Sequence, residues 1–227
     1  MTPSLPPSLS RRAVAEALGT LLLLAVVVGS GIMADRLSAG NTGLALLANS
    51  LATGAGLLAI LLTFGPVSGA HLNPAVTLAL AAEGQMVWAE VPTYLAAQIA
   101  GGFAGVAVAH GMFGHAAFAV SIHARSGASQ CWSEFVATFG LLAVVRSCSR
   151  TQPQIVPLAV AAYITSAYWF TASTSFANPA VTLARMATDT FTGIRPADAP
   201  GFLVAQFAGA AAAVVLFRWL LPQRQPA

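Results

Sequence analysis

Asn73-Pro74-Ala75-Val76-Thr77-Leu78-Ala79 returns, residue for residue, as Asn178-Pro179-Ala180-Val181-Thr182-Leu183-Ala184, 105 positions later. Each copy follows a long apolar run. Asparagine is a good helix N-cap, and proline suits the first helical position because its missing N–H has no partner there anyway. Each copy therefore opens a short helix, about 73–82 and 178–187. Two short helices at corresponding places in two half-chains predict an inverted repeat with a pore or binding site between the halves.

The composition around these words is that of a membrane protein. Apolar residues make up 57% of the chain and charged residues 7%, with a mean hydropathy of +0.76. A soluble domain of this length needs far more surface charge. The net charge of +3 comes from arginine alone. Those arginines stand singly between apolar runs and form no basic stripe, which excludes nucleic acid as a partner. Cys131 and Cys148 fall on one helix; seventeen helical residues rise about 25 Å, beyond disulfide reach. No Cys/His metal spacing and no cofactor-binding word is present. His110, His115 and His123 gather around one loop without such a spacing. The start, Met1 to Ser10, is polar and proline-rich. The apolar run from Ala13 is too long for a signal-peptide core, so it reads as a first membrane helix.

Six segments can cross about 30 Å of hydrocarbon. They are 12–34, 44–66, 91–112, 131–149, 155–172 and 201–221. The fold class expected is an all-α membrane protein with six transmembrane helices and two re-entrant half-helices. Non-helical backbone survives at membrane depth only where it is buried in protein or lines a cavity, so the short segments should dip in from opposite sides. Glu16 and Glu134 sit at related places, as do Gln98 and Gln206, which extends the repeat to the longer helices. The halves are 12–113 and 129–221 of one channel domain, 12–221, flanked by an N-terminal tail, 1–11, and a C-terminal tail, 222–227. Three spans per half is odd, so the second half is inverted. Arg11, Arg12, Arg146, Arg150, Arg218 and Arg224 share the side of the termini, against Arg36, Arg125 and Arg195 opposite. By the positive-inside rule both termini are cytoplasmic in the cell membrane.

Asn73 and Asn178 carry the central chemistry. A capping asparagine accepts a backbone N–H through its oxygen and leaves its NH₂ free to donate. Two caps meeting tip to tip aim donors at one point, and each helix N-terminus adds roughly half a positive charge there. A cation or proton meets a barrier, while a neutral hydroxylic solute finds donors. Glu16 and Glu134 are acids inside spans and are functional candidates by default. They are either proton relays or acceptors for the irregular backbone of the re-entrant loops, braced by Gln98 and Gln206. In the brace reading, a glutamine in place of either acid keeps part of the acceptor capacity. His71 belongs to the inner pore wall or senses pH. No catalytic word supports an enzyme. The competing function is a secondary transporter coupled to H⁺ or Na⁺ through Glu16 and Glu134, since transporters also use inverted repeats and broken helices. The neutral asparagine centre favours a static pore.

From the paired Asn-Pro-Ala words, from Ser68-Gly69-Ala70-His71-Leu72 before the first, and from the acid-bearing first and fourth spans, the chain resembles the major intrinsic protein family. These are the aquaporins and aquaglyceroporins, and the likeness runs from Arg12 to Leu221. It implies passive flow of water, glycerol and similar neutral solutes across the lipid bilayer, a homotetramer, and no cofactor. It also implies a narrow filter of four residues. Gapless counting from the motifs puts these at Thr53, Ser166, Ser175 and Val181. The family usually has arginine where Val181 stands. The filter is then expected to be small and weakly polar, resembling a bacterial subgroup associated with arsenic resistance that passes arsenite as a neutral hydroxide. Arg185, one turn beyond Val181, is expected to sit away from the constriction.

Overall fold

The computed structural model describes residues 7–221. The C-terminal tail with Arg224, and residues 1–6 of the N-terminal tail, lie outside the described residues. Eight α-helices follow one another among those described: α1 Leu9–Leu37, α2 Thr42–Ser68, α3 Pro74–Ala82, α4 Val91–Phe113, α5 Ala128–Thr151, α6 Val156–Phe170, α7 Pro179–Arg185 and α8 Ala199–Leu220. Five helical stretches, those of α1, α2, α4, α5 and α8, are long and apolar enough to cross a membrane. The sixth, α6, has 15 residues, about 22 Å of helix. A 3-10 turn at Pro153–Ile155 leads into it.

Local sequence explains where these helices begin and end. Asn41 caps α2 by accepting the Leu44 N–H at 3.0 Å. Gly69 ends α2 in the left-handed region at φ 87°, where a side chain would be strained. Pro92, Pro157 and Pro200 occupy first turns, where no donor is lost. The long helices extend two or three residues past several of the apolar runs, because helix continues beyond the hydrocarbon. α7 is shorter than the sequence suggests. It stops at Arg185 because the Met186 and Ala187 N–H groups turn back to Leu183 and Ala184, and the Met186 and Ala187 carbonyls then bond Ser121 and Ala119.

The halves pack alike. α1 lies against α4 and α2, as α5 lies against α8 and α6, and each half-helix touches the last helix of both halves. Close approach explains several small residues. A Cβ on Gly101 or Gly105 would collide with the carbonyls of Ala17 or Leu21 on α1, and one on Gly209 with that of Phe135 on α5. Buried apolar side chains from every helix, among them Leu24, Leu57, Ala75, Val106, Leu141, Ile164, Val181 and Phe202, join in one core. The start of α1 and the end of α8 share one face. There Arg12 pairs with Glu90, Arg146 with Glu83, and Arg218 donates to the Ala82 carbonyl. Arg36, Arg125 and Arg195 belong to the opposite face, where Arg36 meets the Phe113 carbonyl and His115. Arg125 donates its backbone N–H to Asp198, and Arg195 pairs with the same acid.

Candidate functional site

The half-helices meet N-terminus to N-terminus. Asn73 Oδ1 accepts from the Ala75 N–H at 2.9 Å, and Asn178 Oδ1 from Ala180 and Val181 at 3.0 and 3.3 Å. The amide NH₂ groups are not wholly free. Asn73 Nδ2 donates to the Ala177 carbonyl at 2.8 Å, and Asn178 Nδ2 to the Leu72 carbonyl at 2.7 Å. These reciprocal bonds stitch one re-entrant loop to the other. Each NH₂ has two hydrogens, so one on each asparagine remains for a solute. Pro74 and Pro179 take the first helical position, and Ala75 and Ala180 are fully buried behind them.

The loops reach this geometry through strained backbone. Ala70 and Leu72 lie at φ 46° and 51°, and Ser175 and Ala177 at 50° and 48°. Non-glycine residues there cost roughly 1–2 kcal/mol each, so something must hold them. The buried acids do. Glu16 accepts from Ser68 Oγ at 2.6 Å, the His71 N–H at 2.9 Å, the Leu72 N–H at 2.7 Å and Gln98 Nε2 at 2.8 Å. Glu134 repeats the set with Ser173 Oγ, Phe176, Ala177 and Gln206 Nε2, at 2.6, 2.8, 2.8 and 2.6 Å. The glutamines also donate to Thr77 and Thr182 at the base of each half-helix. All four acid and amide side chains are fully buried. Four donors on two oxygens change the expectation for glutamine at either acid, which offers one acceptor oxygen and turns an NH₂ toward donors.

A cavity of about 560 Å³ passes the asparagine pair. Gln85 and Gln154 line one end, on the face where α1 begins and α8 ends, and Thr53, Tyr168 and Arg185 the other. His71 is half-buried on the wall. Its Nδ1 lies 3.1 Å from Thr77 Oγ1, whose single proton goes to the Asn73 carbonyl. Nδ1 is therefore the donor in that contact. In the second half Phe176 takes the matching place.

Of the four residues counted as a filter, Thr53, Ser175 and Val181 line the cavity near its Arg185 end, each nearly inaccessible. Ser166 does not. It is exposed on α6, and its hydroxyl donates to the Tyr163 carbonyl. The α6 residues on the wall include Val160, Ile164 and Tyr168, spaced as one helical face. Ser166 lies two residues from both Ile164 and Tyr168, roughly 200° around the helix. Tyr168 is the residue that counting missed. Its Oη donates to Thr53 Oγ1 at 3.2 Å, so the wall carries a large ring after all. Arg185 is the second difference. It lines the cavity and is 2% exposed, because the chain leaves α7 directly behind it and lets the side chain fold back over Phe176. The histidines of the distal loops take separate partners: His110 the Ala116 carbonyl and Thr188, His115 Arg36, and His123 Asp189.

Comparison with known proteins agrees with this architecture. A family model described as Major intrinsic protein matches residues 5–163. The chain is 54% identical to aquaglyceroporin AqpS of Rhizobium meliloti (strain 1021) over 218 residues, 96% of this chain and 93% of that protein. It is 34% identical to aquaporin NIP1-3 of Oryza sativa subsp. japonica over 181 residues, 77% of this chain and 62% of that longer protein. Among solved structures, the aquaglyceroporin from Plasmodium falciparum superposes with a TM-score of 0.69 at 22% identity, covering 95% of this chain and 98% of that one.

Proposed function

The chain belongs to the major intrinsic protein family, and from that premise we propose that it forms a passive pore for water, glycerol and neutral metalloid hydroxides such as arsenous acid. As a member of that family it is a membrane channel and not an enzyme. The observation that carries the reading is the reciprocal tie between Asn73 and Ala177 and between Asn178 and Leu72. A transporter must move its halves against each other around the site, whereas these bonds fix the halves at the midpoint of the cavity. The transporter alternative also needs an acid that can exchange a cation or proton with the pathway. Glu16 and Glu134 each carry four donors and do not line the cavity. They act as braces, with Gln98 and Gln206.

The spare amide hydrogens of Asn73 and Asn178 donate to a passing hydroxyl, and the two helix N-termini repel cations and protons. Thr53 adds a hydroxyl, whose oxygen accepts from Tyr168 Oη. Ser175 lines the same wall, with its Oγ buried and without a protein partner. Val181 leaves room beside them for solutes larger than water. The relative AqpS is named an aquaglyceroporin, which supports glycerol. We further propose one channel domain over 12–221, assembled as a homotetramer in the cell membrane. The termini then face the cytoplasm, where arginine is more frequent. The reading is tested by reconstituting the native chain and Val181→Arg at equal density. Glycerol and arsenite flux should fall much more than water flux, because arginine narrows the opening and adds a fixed charge. Equal solute-to-water ratios in the two proteins would contradict the role of Val181.

A further inference from the structure

Val181 removes a positive charge from the place where the family usually keeps one, yet the cavity still contains a guanidinium. Arg185 Nε donates to the Thr192 carbonyl. Its Cζ stands over the Phe176 ring, 3.3 Å from the centroid, within cation–π range. That single N–H and the ring fix the side chain. Nη1 and Nη2 meet no protein acceptor among the described residues, although the residue lines the cavity and is 2% exposed. A side chain that served only to tie the loop after α7 would spend these donors on carbonyls, as Arg125 does. Arg125 lies behind the same ring at 5.2 Å and donates to Gly193, Phe191 and Ser173. Neither arginine forms a salt bridge among the described residues. Of the acids of that face, Asp198 pairs with Arg195, Asp189 lies 3.9 Å from His123, and Asp35 at the end of α1 forms no ion pair with either arginine among the described residues. The buried Glu134 is near enough to act on both arginines electrostatically, but its oxygens are taken by Ser173, Phe176, Ala177 and Gln206, so no carboxylate contacts the Arg185 guanidinium among the described residues.

We propose that Arg185 is the charge-selecting residue of this pore, a guanidinium displaced one helical turn from its usual place and held there by Phe176 and Thr192. Moving the charge one turn separates two properties that one arginine at position 181 would combine. The cavity stays wide at Val181, and a fixed cation with two free donors still guards its end. Cations are then excluded twice, at the asparagine pair and at Arg185. Hydroxylated neutral solutes gain donors from Arg185 in the cavity that Thr53 also lines.

This inference rests on the passive-channel reading, and one experiment separates the two. The full-length native chain, Arg185→Leu, Arg185→Lys and the relocation variant Val181→Arg/Arg185→Leu are reconstituted in proteoliposomes. Glycerol flux is read by light scattering and cation flux by labelled methylammonium uptake. The ratio of cation to glycerol flux is compared, because it does not depend on the folded fraction. In Arg185→Leu the ratio should rise roughly tenfold or more, the scale on which a lined cleft changes local ion concentration. Arg185→Lys should keep the native ratio. The relocation variant should regain cation exclusion while losing glycerol flux. A native ratio in Arg185→Leu overturns the role of Arg185 and leaves the channel reading intact. Absence of glycerol flux in the native chain overturns the channel reading instead. Should the leucine variant not fold, Arg185→Gln keeps an N–H for the Thr192 carbonyl, and the same two outcomes decide.

Discussion

Replacing Glu16 with glutamine removes one of two acceptor oxygens from a site where four donors converge. Whichever way the new amide turns, its oxygen satisfies one pair of donors and its NH₂ faces the other. If the nitrogen takes the Oε2 position, the Leu72 N–H and Gln98 Nε2 are stranded. If it takes the Oε1 position, Ser68 Oγ and the His71 N–H are. Each buried unsatisfied donor costs about 1–3 kcal/mol, so the change costs about 2–6 kcal/mol in all. The loop it holds also contains two left-handed residues, Ala70 and Leu72, which relax once their restraint weakens. For a chain of this size, 1 kcal/mol shifts the unfolding midpoint by roughly 2–4 °C, which puts the fall for Glu16→Gln at roughly 4–24 °C. The assay is thermal unfolding in detergent with folded yield and water flux on the same preparations. Glu134→Gln should behave alike, since its four donors match. A variant with a native midpoint and native flux would refute the four-donor reasoning. One with a native midpoint and no flux would assign the acid to proton movement instead.

Tyr168→Phe removes one neutral hydrogen bond to Thr53, worth about 0.5–1.5 kcal/mol, and should shift the glycerol-to-water flux ratio by roughly twofold to tenfold. Ser166→Ala should leave that ratio unchanged; light scattering on both variants reverses the assignment if Ser166 proves the sensitive one. Gly101→Ala places a Cβ against the Ala17 carbonyl and should cost about 1–3 kcal/mol by overpacking, seen as lower yield and a lower midpoint. Gly111→Ala, which meets open space within α4, should hold or slightly raise the midpoint, because alanine favours helix over glycine by about 0.5–1 kcal/mol.

Much of this was legible in the chain because it repeats. The doubled Asn-Pro-Ala word, the paired acids Glu16 and Glu134 and the paired amides Gln98 and Gln206 mark the two halves, and apolar length marks the spans. What could not be read were features set by where a side chain turns. Gapless counting placed Ser166 on the wall, but the rotational phase of α6 puts Ile164 and Tyr168 there. Spacing along an ideal helix placed Arg185 away from the pathway. α7 ends at that residue, so the backbone no longer holds the side chain to the helical direction, and Phe176 supplies a surface for it to fold onto. The reciprocal asparagine–carbonyl bonds were also hidden. They depend on the left-handed Leu72 and Ala177 turning their carbonyls toward the opposite loop, and a leucine or alanine gives no sequence signal of that conformation.

The claim that this is a static pore through two neutral asparagines is tested most directly by glycerol movement in proteoliposomes under imposed gradients. The account predicts flux linear in the glycerol gradient, ending at equal concentrations, and unchanged by a proton or sodium gradient of either direction. Accumulation of glycerol against its own gradient, driven by protons or sodium, would contradict it.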